Sequence, residues 1–121
     1  MAINKILIVD DAATDRMTLQ EIVASTHCSV LTANSGKEAV AIAKAERPDM
    51  IFMDIVMDEM NGYEACRAIK EDPATAHIAI VFVSSKNQKA DHLWAKRQGG
   101  AALVGKPYTK DQIVEQIQRL N

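Results

Sequence analysis

Residues 51–62 read IFMDIVMDEMNG: an apolar run closes on Asp54, restarts, and gives way to Asp58, Glu59 and the turn pair Asn61-Gly62. A continuous apolar run without alternation suits a strand covered on both faces. A carboxylate closing such a strand is poorly solvated, and Ser, Thr or Gly there would cost less. The reason for Asp54 must come from what neighbouring strands deliver at the same level.

Outward from this strand (MIFM, 50–53), strand-like and helix-like segments alternate five times along the chain. On the N-terminal side, KILIV (5–9) is another continuous apolar run. After DDAA, a helical stretch over 14–26 places Met17, Leu19, Ile22 and Val23 on one side. SVLTA (29–33) reads as a short strand. Ser35, three residues before Glu38, carries a capping-box signature for a helix that runs to the breaker Arg47-Pro48. On the C-terminal side, YEACRAIKE (63–71) reads as a helix ending before Asp72-Pro73, and IAIVFV (78–83) as a strongly apolar strand. A helix over 88–98 is closed by Gly99-Gly100, which suits a left-handed terminus. AALVG (101–105) is a fifth strand, and Thr109 with Gln112 opens a last helix with Ile113, Val114 and Ile117 inward. Five such units in 121 residues, without linker or repeat, imply one α/β domain over 1–121. Its parallel sheet would carry helices on both faces, joined by right-handed crossovers.

In open parallel sheets, ligands bind beyond the carboxyl ends of the strands. Those ends carry Asp10-Asp11, Asn34-Ser35, Asp54, Ser84-Ser85 and Lys106-Pro107, in chain order. Each has a plain structural use: Asp10-Asp11 as a turn and helix N-cap, Asp54 as a solvated strand end, Ser84-Ser85 as a turn, Pro107 as a helix starter. Those uses explain each residue separately but not the set. Together they bring three carboxylates, a hydroxyl and an ammonium to one end of one sheet. Ionised carboxylates about 4 Å apart repel by roughly 4 kcal/mol per pair in a partly screened site. Lys106 offsets part of this, and protonation or a hard divalent cation must relieve the rest. Oxygen donors without His or Cys favour Mg²⁺ over zinc. A cation and Lys106 converging on one carboxylate suit phosphoryl transfer, which depends mostly on positioning and charge stabilisation, with Asp54 as the nucleophile.

Composition narrows the partners. The formal net charge of -2 argues against a broad electrostatic footprint for nucleic acid or anionic membrane. The longest apolar runs are too short to span a bilayer. MAINK passes directly into ILIVDD, so no secretory signal is read and a cytoplasmic location is expected. Cys28 and Cys66 lack Cys-x-x-Cys spacing and read as reduced, partly buried thiols. His27 and His77 read as ordinary surface or loop residues.

VDD (9–11), MDIVM (53–57), VSS (83–85) and GKP (105–107), spread over the whole chain, resemble the receiver domain of two-component response regulators. The resemblance implies a flavodoxin-like, CheY-like sheet in the order 2-1-3-4-5. It implies that Asp54 accepts a phosphoryl group from a histidine kinase. Asp11 and Asp54 would then bind Mg²⁺ with the backbone carbonyl of Val56, and Asp10 would assist through water. Lys106 would pair with the phosphoryl oxygens, Ser84 would hydrogen-bond one of them and move with it, and the Lys106-Pro107 bond would be cis. Some positions depart from the family. Asp58 stands where Pro is common, Leu103 stands where a switching Tyr or Phe is usual, and Val56 and Lys86 occupy positions that tune phosphoryl lifetime.

Output would pass to a partner protein, since no residues remain for an output domain. Trp94, Lys96, Arg97 and Leu103 mark the expected face, on the fourth helix, fifth strand and fifth helix. The competing reading packs Trp94 onto the fifth strand and leaves the basic residues merely solvated. SKNQKADHLWAKRQGGAALVGKP (85–107) is further similar to stand-alone regulators of chemotaxis-like systems that control type IV pilus twitching motility. The expected protein is a monomeric switch rather than an enzyme, without nucleic-acid binding or membrane insertion. The alternatives are a receiver that drains phosphoryl from a sister regulator, a small Asp-nucleophile phosphatase, or a flavodoxin-like ligand carrier. The phosphatase would need a second general acid and a substrate pocket, and neither is evident.

Overall fold

Parallel pairing of five short strands organises the chain, and the computed structural model describes residues 3–121. The elements alternate as β1 (Lys5–Val9), α1 (Ala13–Ala24), β2 (Ser29–Ala33), α2 (Gly36–Glu46), β3 (Met50–Asp54), α3 (Gly62–Glu71), β4 (Ala79–Ser84), α4 (Lys89–Arg97), β5 (Ala102–Gly105) and α5 (Lys110–Leu120). Spatial order is β2-β1-β3-β4-β5, as the resemblance implies, with every neighbouring pair parallel. Among the described residues, no helix is long and apolar enough to cross a membrane.

Strand alternation splits the core into two layers. Leu7, Val9, Ile51, Met53, Ile80, Phe82 and Leu103 face one side and pack against Ala39 and Ala43 of α2, Ala65, Cys66 and Ile69 of α3, and Ala95 of α4. Ile6, Ile8, Met50, Phe52, Val81, Val83 and Val104 face the other, against Leu19 and Val23 of α1 and Ile113 and Ile117 of α5. The middle strand β3 is buried at every position, which accounts for its unalternating sequence.

Local chemistry sets the helix ends. Asn61 and Glu64 form a reciprocal capping box at α3, and Thr109 and Gln112 form another at α5. At α2 the Ser35 hydroxyl accepts from the Glu38 N–H, so the Ser35 half of the expected box is made. Gly99 closes α4 at φ 98°, a left-handed turn that Gly takes without a Cβ clash.

Three expectations are corrected. Met17 is 59% exposed: the inner face of α1 is set by Leu19 and Val23, four residues apart, and Met17 lies two residues off that line. The competing structural use of Asp10-Asp11 as a helix N-cap is not realised either, since the N-cap of α1 is Ala12, with no side-chain hydrogen bond. β4 runs one residue later at each end than IAIVFV suggests, and so takes in Ser84. Leu103 does not belong to an exposed face: it registers with Phe82 and is buried in the same layer, next to α4.

Candidate functional site

Register and alternation together explain which side chains meet. Val9 pairs with Met53, so one residue further on Asp10 stands beside Asp54. Both continue the side of the sheet that carries Ile8 and Phe52, towards α1 and α5. Lys106 follows Val104 by two residues and points the same way. Lys106 Nζ donates to Asp10 Oδ2 at 3.0 Å and lies 3.7 Å from Asp54 Oδ2. Carboxylate oxygens of Asp10, Asp11 and Asp54 all lie within 4.8 Å of one another. That donor set, oxygen-only and converging, fits a hard divalent cation such as Mg²⁺.

Electrostatics is decided by burial. Asp54 is 9% exposed, and burial, with the Asp10 charge adding to it, pushes its pKa up to about 6. Lys106 and the N–H groups of Ile55 and Val56 pull it down without cancelling that cost. Burial also works against the charge on Lys106, but Asp10, Asp54 and Asp15 outweigh it and hold the ammonium well above its ordinary range. The two shifts are consistent: one ammonium serves three carboxylates and gains from all of them, whereas Asp54 has one long ion pair and two backbone N–H groups, too little to offset its burial.

Gly62 fixes the floor beneath Asp54. Its N–H donates to Ile55 O at 2.8 Å, and a Cβ built there would lie 2.1 Å from Asp54 O and 2.9 Å from Ile55 Cα. Those are backbone atoms that cannot yield without moving the carboxylate. Gly62→Ala is therefore expected to cost about 1–2 kcal/mol in urea unfolding. It should also weaken Mg²⁺ binding measured by calorimetry. Unchanged values for both would show that the β3–α3 turn has slack.

The other expected residues fall into place unevenly. Ser84 is 1% exposed and its Oγ accepts from the Lys86 N–H at 3.1 Å, which leaves the hydroxyl proton as a donor. Val56 is 59% exposed, two residues past the end of β3. The Lys106-Pro107 peptide bond is cis. Trp94 does not pack down on β5; it is 50% exposed and, with Val56, Met57, Tyr63 and Lys86, lines an open cleft of about 420 Å³. Arg97 lies 6.0 Å from the Trp94 ring centroid, and Lys96 is exposed. Cys28 and Cys66 are free, and Cys66 is buried.

Two residues escaped the sequence reading. Asp15, in the first turn of α1, pairs with Lys106 at 3.1 Å. A first-turn carboxylate already has a local reason in the helix dipole, so nothing nearby points to Lys106. Tyr63 carries the one buried side-chain polar atom without a partner among the described residues. No local pattern marks it.

Residues 6–118 match the response regulator receiver domain. The chain belongs to that family. This receiver is 37% identical over 113 residues to the protein PilH of Pseudomonas aeruginosa, a match covering 93% of each chain. It is 36% identical to the chemotaxis protein CheY of Thermotoga maritima, over 98% of each. Among solved structures, the Vibrio cholerae chemotaxis protein CheY4 superposes with a TM-score of 0.92 at 26% identity, covering 99% of this chain and 100% of that one. Receivers are signalling switches of two-component systems, and the acidic cluster lies where this chain can hold a cation.

Proposed function

We propose that this receiver is a stand-alone phosphorylation switch over residues 1–121, working in the cytoplasm. Asp54 takes a phosphoryl group from a histidine kinase, and the α4 side of the molecule hands the change to a partner protein. The likeness to PilH and CheY supports placing it in a chemotaxis-like system that controls type IV pilus twitching motility. The convergence of Asp10, Asp11, Asp54 and Lys106 at the end of β3 carries the reading.

An Asp54 carboxyl with a pKa of about 6 is mainly ionised at neutral pH, so it is available as a nucleophile. Its oxygen forms the O–P bond as the P–N bond of the phosphohistidine breaks, and the imidazole leaves with the electron pair. Lys106 Nζ needs only a small move to reach the phosphoryl oxygens, being 3.7 Å from Asp54 Oδ2 already. The free proton of the Ser84 hydroxyl can donate to another of those oxygens. A divalent cation held by the Asp10, Asp11 and Asp54 carboxylates and the Val56 carbonyl would supply positive charge to the transferring group.

Incubation with phosphoramidate and Mg²⁺ tests the reading, with the acyl phosphate read by intact mass. The expected label is a single one, prevented by EDTA and absent from Asp54→Asn. A label that persists in Asp54→Asn would refute the assignment. The output side has its own test. The exposed Trp94 indole, beside Val56 and Lys86 at the rim of the site, should change its fluorescence when beryllofluoride and Mg²⁺ bind. Unchanged emission and an unchanged indole NMR signal would exclude α4 from the switch.

A further inference from the structure

The position of Lys106 is not set by the metal-site carboxylates alone. Its ammonium lies 3.0 Å from Asp10 Oδ2 and 3.1 Å from Asp15 Oδ2, but 3.7 Å from Asp54 Oδ2, beyond hydrogen-bond reach. An ammonium has three donors, and two are committed here to groups other than Asp54. Asp15 belongs to the first turn of α1 and its side chain is 49% exposed, whereas that of Asp54 is 12% exposed. Asp15 therefore draws the charge outward, away from the strand end. Beside it lies an open cleft lined by Thr18, Ser85, Pro107 and Tyr108, so the ammonium can swing without disturbing the core.

We propose that Asp15 is a positioning residue that tethers Lys106 to one side of the unphosphorylated site. This keeps Asp54 open to a divalent cation and slows capture of the phosphoryl group. The inference rests on the phosphorylation reading above and adds a restraint to it. Without Asp15, Lys106 settles onto Asp54 and Asp10 and competes with a cation for their oxygens. With a phosphoryl group on Asp54, the same freed ammonium meets it without leaving a second partner, and one repelling charge is gone. The two binding steps therefore respond in opposite directions, which a merely structural role for Asp15 would not produce. Loss of a helix-dipole partner from α1 would loosen the site and weaken both.

Wild type, Asp15→Asn and Asp15→Glu separate these cases. Mg²⁺ affinity is read by calorimetry without a phosphoryl analogue, and beryllofluoride affinity by fluorine NMR at saturating Mg²⁺. Because Asp15 is half exposed, the expected changes in Asp15→Asn are modest. Mg²⁺ should bind about threefold more weakly and beryllofluoride about threefold more tightly, while Asp15→Glu stays near wild type in both. Affinities that fall together, or that both stay unchanged, would overturn the tether. Wild-type protein that fails to bind beryllofluoride at all would instead bring down the phosphorylation reading itself.

Discussion

Asp54→Asn should leave no Mg²⁺-dependent acyl phosphate and, with metal chelated, should make the protein more stable at neutral pH. The first effect follows from losing the nucleophile; the second follows from burial. The Asp54 carboxyl titrates at about 6 in the folded chain, against an ordinary 3.8, because burial outweighs the attraction of Lys106. A raised carboxyl pKa means that the folded state holds its proton more tightly than the unfolded state. Its contribution to stability is complete below the ordinary pKa of 3.8 and is lost as pH rises through about 6. Above that range the folded protein carries an ionised group that it solvates poorly, by on the order of 2–3 kcal/mol. Asn keeps the shape and has no charge to desolvate. Urea unfolding in EDTA should therefore show the variant ahead by that order at neutral pH, with the gap closing towards acid. Added Mg²⁺ narrows the gap from the other side, because it stabilises wild type by mass action. A variant that is less stable than wild type at neutral pH in EDTA would show that the ion pair, not burial, governs Asp54.

How far the sequence reveals this site depends on how local each cause is. Asp54 is legible because a carboxylate closing an unalternating apolar run is poorly solvated, and β3 proves buried throughout. Asp10 and Lys106 are legible at one remove, since strand register and alternation carry both to the same side of the sheet. The five strand–helix units are legible from their apolar runs and caps. Even the Asn61–Glu64 box was open to reading, because Asn three residues before Glu is its signature. The Asp15–Lys106 pair is different: it joins α1 to the loop after β5, 91 residues away, and each partner has a sufficient local explanation. Leu103 and Met17 were misplaced for a related reason. Side-chain direction depends on strand register and on the exact line of the helix contact, and both shift with a single residue.

Lys106→Met should be the most damaging single change at the site. The stem is conserved in length, so packing is nearly kept and the charge alone is removed. Asp10 and Asp54, whose side chains are 9% and 12% exposed, are then left without their cation. Removing one partner of a buried pair costs on the order of 3 kcal/mol, because the remaining charges stay desolvated. The exposed Lys44–Asp72 pair, at 3.4 Å with Lys44 69% exposed, gives the contrast: Lys44→Met should leave the urea midpoint essentially unchanged. The pH dependence identifies the cause. The Lys106 pKa is held above its ordinary 10.5, so its stabilising contribution is fully present below 10.5 and is lost only as pH rises past the folded value. Any variation at acid or neutral pH therefore comes from the carboxylates. Without Lys106, Asp54 loses the main group pulling its pKa down, and that pKa should rise beyond about 6. The deficit in Lys106→Met should then shrink as pH falls through that range and shrink again when Mg²⁺ is added at neutral pH. Urea unfolding across pH, with and without Mg²⁺, measures both. A deficit that ignores pH and metal alike would show that it does not come from the carboxylates left behind, and the cluster would lose its electrostatic explanation.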